Sequence, residues 1–226
     1  MGHSRWNRSG GVAGTAYVLA AATAASLTGR PPGPEATNKA VQLFFIDHPG
    51  SVVAQAWLYA LATTLVIWFA LAVRRVLHTA PTGRHLGDLF LVATVAVASL
   101  SFVSMSIRIV AALRADQLSA SAVRAIGTDF SLVLLALCGF LVAVAAVAYA
   151  CCVVAGGMLP RWTAWLAIIA AVVNLAGTLS VFAATGPFSL EGWLATLLPA
   201  IATAVWYLGT SISLWMAHDE ADTHPR

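Results

Sequence analysis

The sequence predicts an all-α integral membrane protein, a single domain over residues 1–226 that forms a bundle of six transmembrane helices. Of the 226 residues, 60% are hydrophobic and only 9% are charged, whereas soluble domains carry about 25% charged residues. The apolar residues form six runs, at 11–27, 52–73, 89–113, 130–154, 162–184 and 193–216. A helix needs about 20 apolar residues to cross the hydrocarbon core. Most connections between the runs are short, which favours an up-and-down bundle.

The first run, residues 11–27, has two alternative interpretations. It is short for a membrane span, it follows Arg5 and Arg8, and it is rich in small residues, all of which are also typical of a cleaved signal peptide. Tyr17 and a length beyond the usual apolar region of about 7 to 15 residues favour an uncleaved first helix.

The arginines between the runs predict the orientation of the bundle. If the amino terminus is cytoplasmic, seven basic residues fall on the cytoplasmic side and four on the outer side. Arg74, Arg75 and Arg84 in one short loop weigh most, because short cytoplasmic loops are enriched in positive charge. We therefore expect both termini in the cytoplasm of a bacterial cell, with the chain in the inner membrane.

The longest connection, residues 28–51, is expected on the outer side. Glycine and proline at 29–34 predict turns, and the apolar, aromatic segment 40–46 predicts a short helix that lies at the membrane interface. Pro49 should end that helix.

Arg108 lies inside the third apolar run. A charged side chain within a membrane helix costs about 2.5 to 3.5 kcal/mol on insertion scales, so such a residue is usually paired, hydrated or functional. Helical spacing places a stripe of small and polar residues on the face of Arg108, which should look into the protein. The members of the stripe are Thr94, Ser101, Ser104, Arg108 and either Ala111 or Ala112. The alternative is that Arg108 snorkels to the outer interface.

Several titratable residues are expected on the same side as Arg108. Asp129 and Glu191 precede the fourth and sixth apolar runs, and Asp47 with His48 ends the long loop. Around Arg108 they would form an outward polar pocket that binds a carboxylate or phosphate, or that acts by acid-base catalysis with Asp129, Glu191 or Asp47 as the acid or base. The alternative for Asp129 and Glu191 is ordinary capping of helix N-termini. The same capping role is expected of Asp88, for which no arginine partner is expected.

Polar stripes on the other helices also have two interpretations. Small and hydroxylated residues usually mark surfaces where membrane helices pack. The alternative is an internal cavity that binds an apolar or amphipathic small molecule, and its predicted lining is Tyr59, Arg108, Asn174, Thr203 and Trp206.

Other classes of protein are disfavoured. The basic residues are spread among the apolar runs and do not form one patch, which argues against nucleic-acid binding. Cys138, Cys151 and Cys152 share one apolar run, so neither a disulfide framework nor a CxxC zinc site is expected. No cofactor motif and no other metal site is predicted, and the expected partners are the lipid bilayer and a small molecule.

The second half of the chain resembles a group of bacterial multi-pass membrane proteins known only as a domain of unknown function. The likeness rests on the GMLPRW segment at 157–162 and the helix after it to Asn174, on GPF at 186–188, and on residues 198–207. The likeness extends over roughly 140 residues from the second helix onward, and its motifs are turn and packing residues. The resemblance implies a bacterial inner-membrane protein of about six helices and brings no reaction with it.

Three function classes therefore remain open. The first is a membrane protein that binds a small molecule within the bundle. The second is an intramembrane enzyme that cyclises or isomerises a lipid-like or isoprenoid substrate, with Trp57, Tyr59, Trp206 and Tyr207 as walls that stabilise a cation. The third is a small-molecule transporter, although the chain has neither an obvious internal repeat nor a pair of broken helices.

Overall fold

The computed structural model describes residues 3–29, 32–80, 83–183 and 185–223, with side chains between residues 8 and 216. Within these ranges all regular secondary structure is helical, and six helices are long and apolar enough to cross a membrane. The helices are α1 (His3–Leu27), α2 (Asn38–Asp47), α3 (Pro49–Leu77), α4 (Gly83–Leu113), α5 (Ala120–Val123), α6 (Ser131–Gly156), α7 (Arg161–Thr178) and α8 (Trp193–Thr223). The predicted all-α membrane bundle is confirmed.

The six long helices form a closed ring. Each packs against its neighbours along the chain, in the order α1, α3, α4, α6, α7 and α8, and α8 returns to pack against α1. The first helix α1 lies between α3 and α8 and closes the ring. A ring of six helices leaves space along its axis unless large side chains fill it.

The two ends of the ring differ. One end, here called the α2 end, holds the last turn of α1, the first turn of α3 and the whole of α2. The opposite end, here called the Arg74 end, holds the α3–α4 loop. The basic residues whose side chains are described are Arg8, Arg74, Arg75, Arg84 and Arg161 at the Arg74 end, and Lys39, Arg114 and Arg124 at the α2 end. Arg5 lies in the first turn of α1, also at the Arg74 end. Arg30 and Arg226, which also entered the orientation prediction, lie outside the described residues.

The helices extend beyond the apolar runs. The helix α4 begins at Gly83, six residues before the predicted start, and α3 continues past residue 73 to Leu77. The added turns consist largely of polar residues. Backbone hydrogen bonds of the helix continue beyond the hydrocarbon core of the membrane, so a helix does not have to end where its apolar run ends.

The fourth apolar run is preceded by an irregular helical segment. The helix α5 begins after Ser119, whose side chain accepts a hydrogen bond from the backbone N–H of Ala122. A π-helical segment, Arg124–Phe130, then joins α5 to α6 without a break. Asp129 therefore lies inside a continuous helix, and the prediction that it caps a helix N-terminus is wrong.

The predicted interfacial helix is present as α2, and Thr37 caps it by accepting a hydrogen bond from the N–H of Ala40. Its inner face is buried against the α4–α5 connection. The Gln42 side chain donates to the backbone oxygens of Ala115 and Leu118 at 2.9 and 2.8 Å. These bonds hold α2 across the end of the ring.

Large aromatic side chains fill the ring toward the Arg74 end. Trp206 packs edge-on against Tyr149, with the ring centroids 5.4 Å apart, and also contacts Phe90 and Tyr207. The Tyr149 hydroxyl donates to Thr163 Oγ1 at 2.9 Å and accepts from Thr210 Oγ1 at 3.1 Å, so this buried polar group is satisfied. The half of the ring nearer the α2 end has no comparable filling.

Asp88 has a partner that the sequence did not predict. It accepts a hydrogen bond from Arg74 Nε at 2.6 Å, and His78 Nε2 lies 3.1 Å from the same oxygen. The expectation that Asp88 has no arginine as an ion-pair partner is therefore wrong. The short α3–α4 loop brings Arg74, in the last turn of α3, beside Asp88 in the first turns of α4.

Candidate functional site: a polar cavity inside the ring

A cavity of about 400 Å³ occupies the ring between the aromatic side chains and the α2 end. All six long helices contribute to its wall, and most of the wall is apolar. Its polar lining includes Tyr17, Gln55, Tyr59, Thr63, Thr94, Ser101, Arg108, Asn174, Thr203 and Tyr207. The lining extends to Leu190, in the connection between α7 and α8.

Arg108 faces this cavity. Its Nη2 donates a long hydrogen bond to Gln55 Oε1 at 3.5 Å, and its guanidinium carbon lies 6.0 Å from the centroid of the Phe45 ring on α2. The side chain also interacts electrostatically with Tyr59 on α3. Arg108 therefore points into the bundle, as the polar stripe predicts, and does not snorkel to the interface.

Phe45 reaches Arg108 because the π-helical segment allows a close approach. Gly127 lies against Phe45 and Ala111, and a Cβ atom at residue 127 would fall 2.7 Å from the Ala111 Cβ and 3.1 Å from the Phe45 ring. A side chain there would push the π-helical segment away from α4 and from Phe45 on α2. The π-helical geometry and the glycine together place an aromatic ring over the guanidinium.

The acids predicted to surround Arg108 lie elsewhere. No carboxylate of the described residues lies within 4.0 Å of the Arg108 guanidinium. Glu191 instead pairs with Arg124, whose Nη2 lies 2.9 Å from each of its carboxylate oxygens, and Asp129 lies 4.0 Å from Arg124 Nε. The prediction that Asp129 and Glu191 are partners of Arg108 is therefore wrong.

Arg124 is the residue that sequence reasoning missed. Besides Glu191, it donates to the backbone oxygens of Ala36 and of Pro34, the latter at 3.1 Å. One side chain thus joins the α1–α2 loop, the π-helical segment and the α7–α8 connection. No sequence signal distinguished it, because these segments are far apart in the chain and Arg124 was counted only as an outer-loop charge.

Asp47 and His48 also lie away from the cavity. Both are exposed. The His48 ring stacks on Phe44, with the centroids 5.3 Å apart, and its Nδ1 lies 3.3 Å from the Phe44 backbone oxygen. His48 is therefore a helix-end residue. None of Asp47, Asp129 and Glu191, the three predicted catalytic acids, lines the cavity.

The protonation of Glu191 reflects its surroundings. Burial raises the pKa of the Glu191 carboxyl, the charge of Arg124 opposes that effect, and the neighbouring Asp129 raises the pKa further. Burial thus disfavours the charged form of Glu191, and the attraction of Arg124 offsets part of that desolvation cost, as is usual for a buried ion pair.

Four of the five predicted cavity residues do line it, namely Tyr59, Arg108, Asn174 and Thr203. Asn174 Nδ2 donates to Thr203 Oγ1 at 3.0 Å and joins α7 to α8 at the wall. Trp206 does not line the cavity. It is only 1% exposed and belongs to the aromatic cluster, where its indole N–H has no partner among the described residues.

The other reactive groups are scattered. Cys138 and Cys152 are buried, Cys151 is exposed, and all three are free thiols. In the part of the chain that the structure describes, no three His, Cys, Asp or Glu side chains are grouped closely enough to hold a metal ion.

Comparisons of this chain with protein-family models, with curated proteins and with solved structures found no match. The resemblance to the bacterial membrane family stays a prediction.

Proposed function

We propose that this protein binds an amphipathic small molecule inside its ring of helices. The observation that carries the proposal is the cavity between Arg108 and the aromatic cluster. Its volume of about 400 Å³ lies within the range of about 300 to 1,000 Å³ typical of small-molecule pockets. Its wall is mainly apolar and carries a few polar groups, the composition expected of such a site.

The distribution of polar groups indicates how the ligand lies. Arg108 and Gln55 lie in the second turn of α4 and of α3 from the α2 end. Tyr17 and Tyr207 contact each other beside the aromatic cluster, with ring centroids 5.5 Å apart. The ligand therefore places its polar end near Arg108 and its apolar part deeper in the ring. The enzyme alternative has less support, since no Asp or Glu of the described residues lines the cavity.

We further propose that the protein resides in the inner membrane of a bacterium with both termini in the cytoplasm. The concentration of arginine at the Arg74 end supports this orientation, since basic residues favour the cytoplasmic side.

The binding proposal is tested by blocking the cavity. Ser101 lines it, whereas Ser106 lies on the same helix and is exposed on the outside of the ring. In nanodiscs of phosphatidylcholine, 1-decanol and decanoate are each titrated, and the thermal unfolding temperature of the protein is followed. We expect at least one of them to raise it in the wild type and in Ser106→Phe and to leave Ser101→Phe unchanged. No stabilisation of the wild type by either compound, or equal stabilisation of the two variants, would overturn the proposal.

A further inference from the structure

We propose that the polar end of the ligand is a single negative charge, a carboxylate, bound by Arg108. This inference rests on the proposed function, since it names the class of ligand that the cavity takes. Three features of the site support it: Arg108 has no acidic partner among the described residues, hydrogen-bond donors lie near it, and the described cavity wall carries a single positive charge.

The guanidinium of Arg108 has no counter-ion among the described residues. It is positioned within a membrane helix, and its hydrogen bond to Gln55 is at the 3.5 Å limit for such a bond. No acid of the described chain lies within 4.0 Å. A charge in a poorly hydrated site is stabilised by an opposite charge, and in this cavity that charge has to come from the ligand.

The donors around Arg108 match a carboxylate. A guanidinium binds both carboxylate oxygens through two parallel N–H donors. The Tyr59 hydroxyl on the cavity wall supplies a further donor. Gln55 Nε2 is already bonded to Thr28 Oγ1 at 2.9 Å and to the Ala24 backbone oxygen at 3.2 Å, so its oxygen is held toward Arg108 and the amide is fixed in place. The free donors at the anion are therefore those of Arg108 and Tyr59.

The net charge of the wall selects a monoanion. Arg108 is the only charged residue in the described lining, because Lys39, Arg114 and Arg124 lie outside it. One guanidinium neutralises one carboxylate, whereas a phosphate monoester would bring up to two negative charges into a cavity with one positive charge. Burial of the second charge without a partner carries a large desolvation cost.

The test compares four ligands with the same ten-carbon chain and different polar ends: decanoate, decyl phosphate, 1-decanol and decyltrimethylammonium. Binding is measured at pH 8 in phosphatidylcholine nanodiscs by isothermal titration calorimetry. We expect decanoate to bind about tenfold or more tightly than 1-decanol, since hydrogen bonds to a charged group are worth more than neutral ones. Decyl phosphate should bind less tightly than decanoate, and the cation should bind least.

Variants assign the effect to Arg108. In Arg108→Gln, we expect decanoate affinity to fall about tenfold and 1-decanol affinity to stay within about twofold. The control is Arg114→Gln, which removes an equal charge from an exposed position near the same end of α4 and should leave both affinities unchanged.

The outcomes separate this inference from the proposed function. Equal binding of decanoate and 1-decanol, or preference for decyl phosphate, would overturn the carboxylate assignment while the cavity remains a binding site. Loss of decanoate binding in Arg114→Gln equal to that in Arg108→Gln would overturn the assignment to Arg108. Failure of all four compounds to bind would overturn both proposals together.

Discussion

Arg124 holds both carboxylate oxygens of Glu191 at 2.9 Å, and the same guanidinium donates to two backbone carbonyls of the α1–α2 loop. The pair is shielded from solvent, with side-chain exposures of 18% for Arg124 and 9% for Glu191. The relationship is asymmetric, because Arg124 also donates to two backbone carbonyls, whereas the other charged neighbour of Glu191 is a second acid, Asp129. It closes the α2 end of the ring beside Leu190, which lines the cavity.

The asymmetry predicts unequal costs when either partner is replaced. Arg124→Gln should lower the free energy of unfolding by about 2 to 4 kcal/mol, because it leaves the carbonyls of Pro34 and Ala36 and the Glu191 carboxylate without their donor. Glu191→Gln should cost less than about 1 kcal/mol, since burial already favours a neutral side chain there. Reversible unfolding in mixed micelles measures both. Exposed Arg114→Gln is the control, and equal losses in the two buried variants would contradict the asymmetry.

Glu191 also predicts a pH dependence of stability. A pKa raised in the folded state means that the folded protein binds the proton more tightly than the unfolded chain, in which the carboxyl has its ordinary pKa of about 4.5. The stabilising contribution is therefore full below that pH and is lost as the pH rises through the higher folded pKa.

The measurement is the unfolding free energy of the wild type and of Glu191→Gln between pH 4 and pH 8. The wild type should lose stability relative to the variant as the pH rises. The exposed Glu35→Gln change should leave the wild-type profile unaltered. A wild type that gains stability relative to Glu191→Gln over this range would refute the assigned direction.

The close contact between α6 and α7 at Gly139 predicts that one added methyl group there lowers the stability of the protein. A Cβ atom at Gly139 would lie 2.6 Å from the Asn174 backbone oxygen and 2.8 Å from Thr178 Cγ2. Gly139→Ala should therefore destabilise the protein by about 1 to 3 kcal/mol, because the two helices have to move apart. Gly50→Ala is the matched control, since nothing lies within 4 Å of a Cβ there. A stable Gly139→Ala protein would show that the α6–α7 spacing is adaptable.

The proposed orientation predicts which loops react with an impermeant thiol reagent in intact cells. In a background without the native cysteines, Glu35→Cys at the α2 end should be labelled directly. Thr79→Cys at the Arg74 end should be labelled only after the membrane is opened. The reverse pattern would place the cavity's arginine nearer the cytoplasm.

The architecture was predictable from the sequence because the length and composition of an apolar run decide whether it crosses a membrane. The inward face of α4 was predictable for a related reason, since Thr94, Ser104 and Arg108 recur at helical spacing and polar side chains avoid lipid. Four of the five cavity residues followed from the same periodicity.

The pairing of charges was decided only by the tertiary structure. Glu191 lies 67 residues from Arg124 in the chain, and Asp88 meets Arg74 only because a tight loop brings α3 beside α4. Helical periodicity indicates the face on which a side chain lies, but the depth and rotation of each helix decide which charges meet. That is why Asp129 and Glu191, two of the three acids expected at Arg108, are found at Arg124, and why Arg108 faces the cavity with no carboxylate of the described chain beside it.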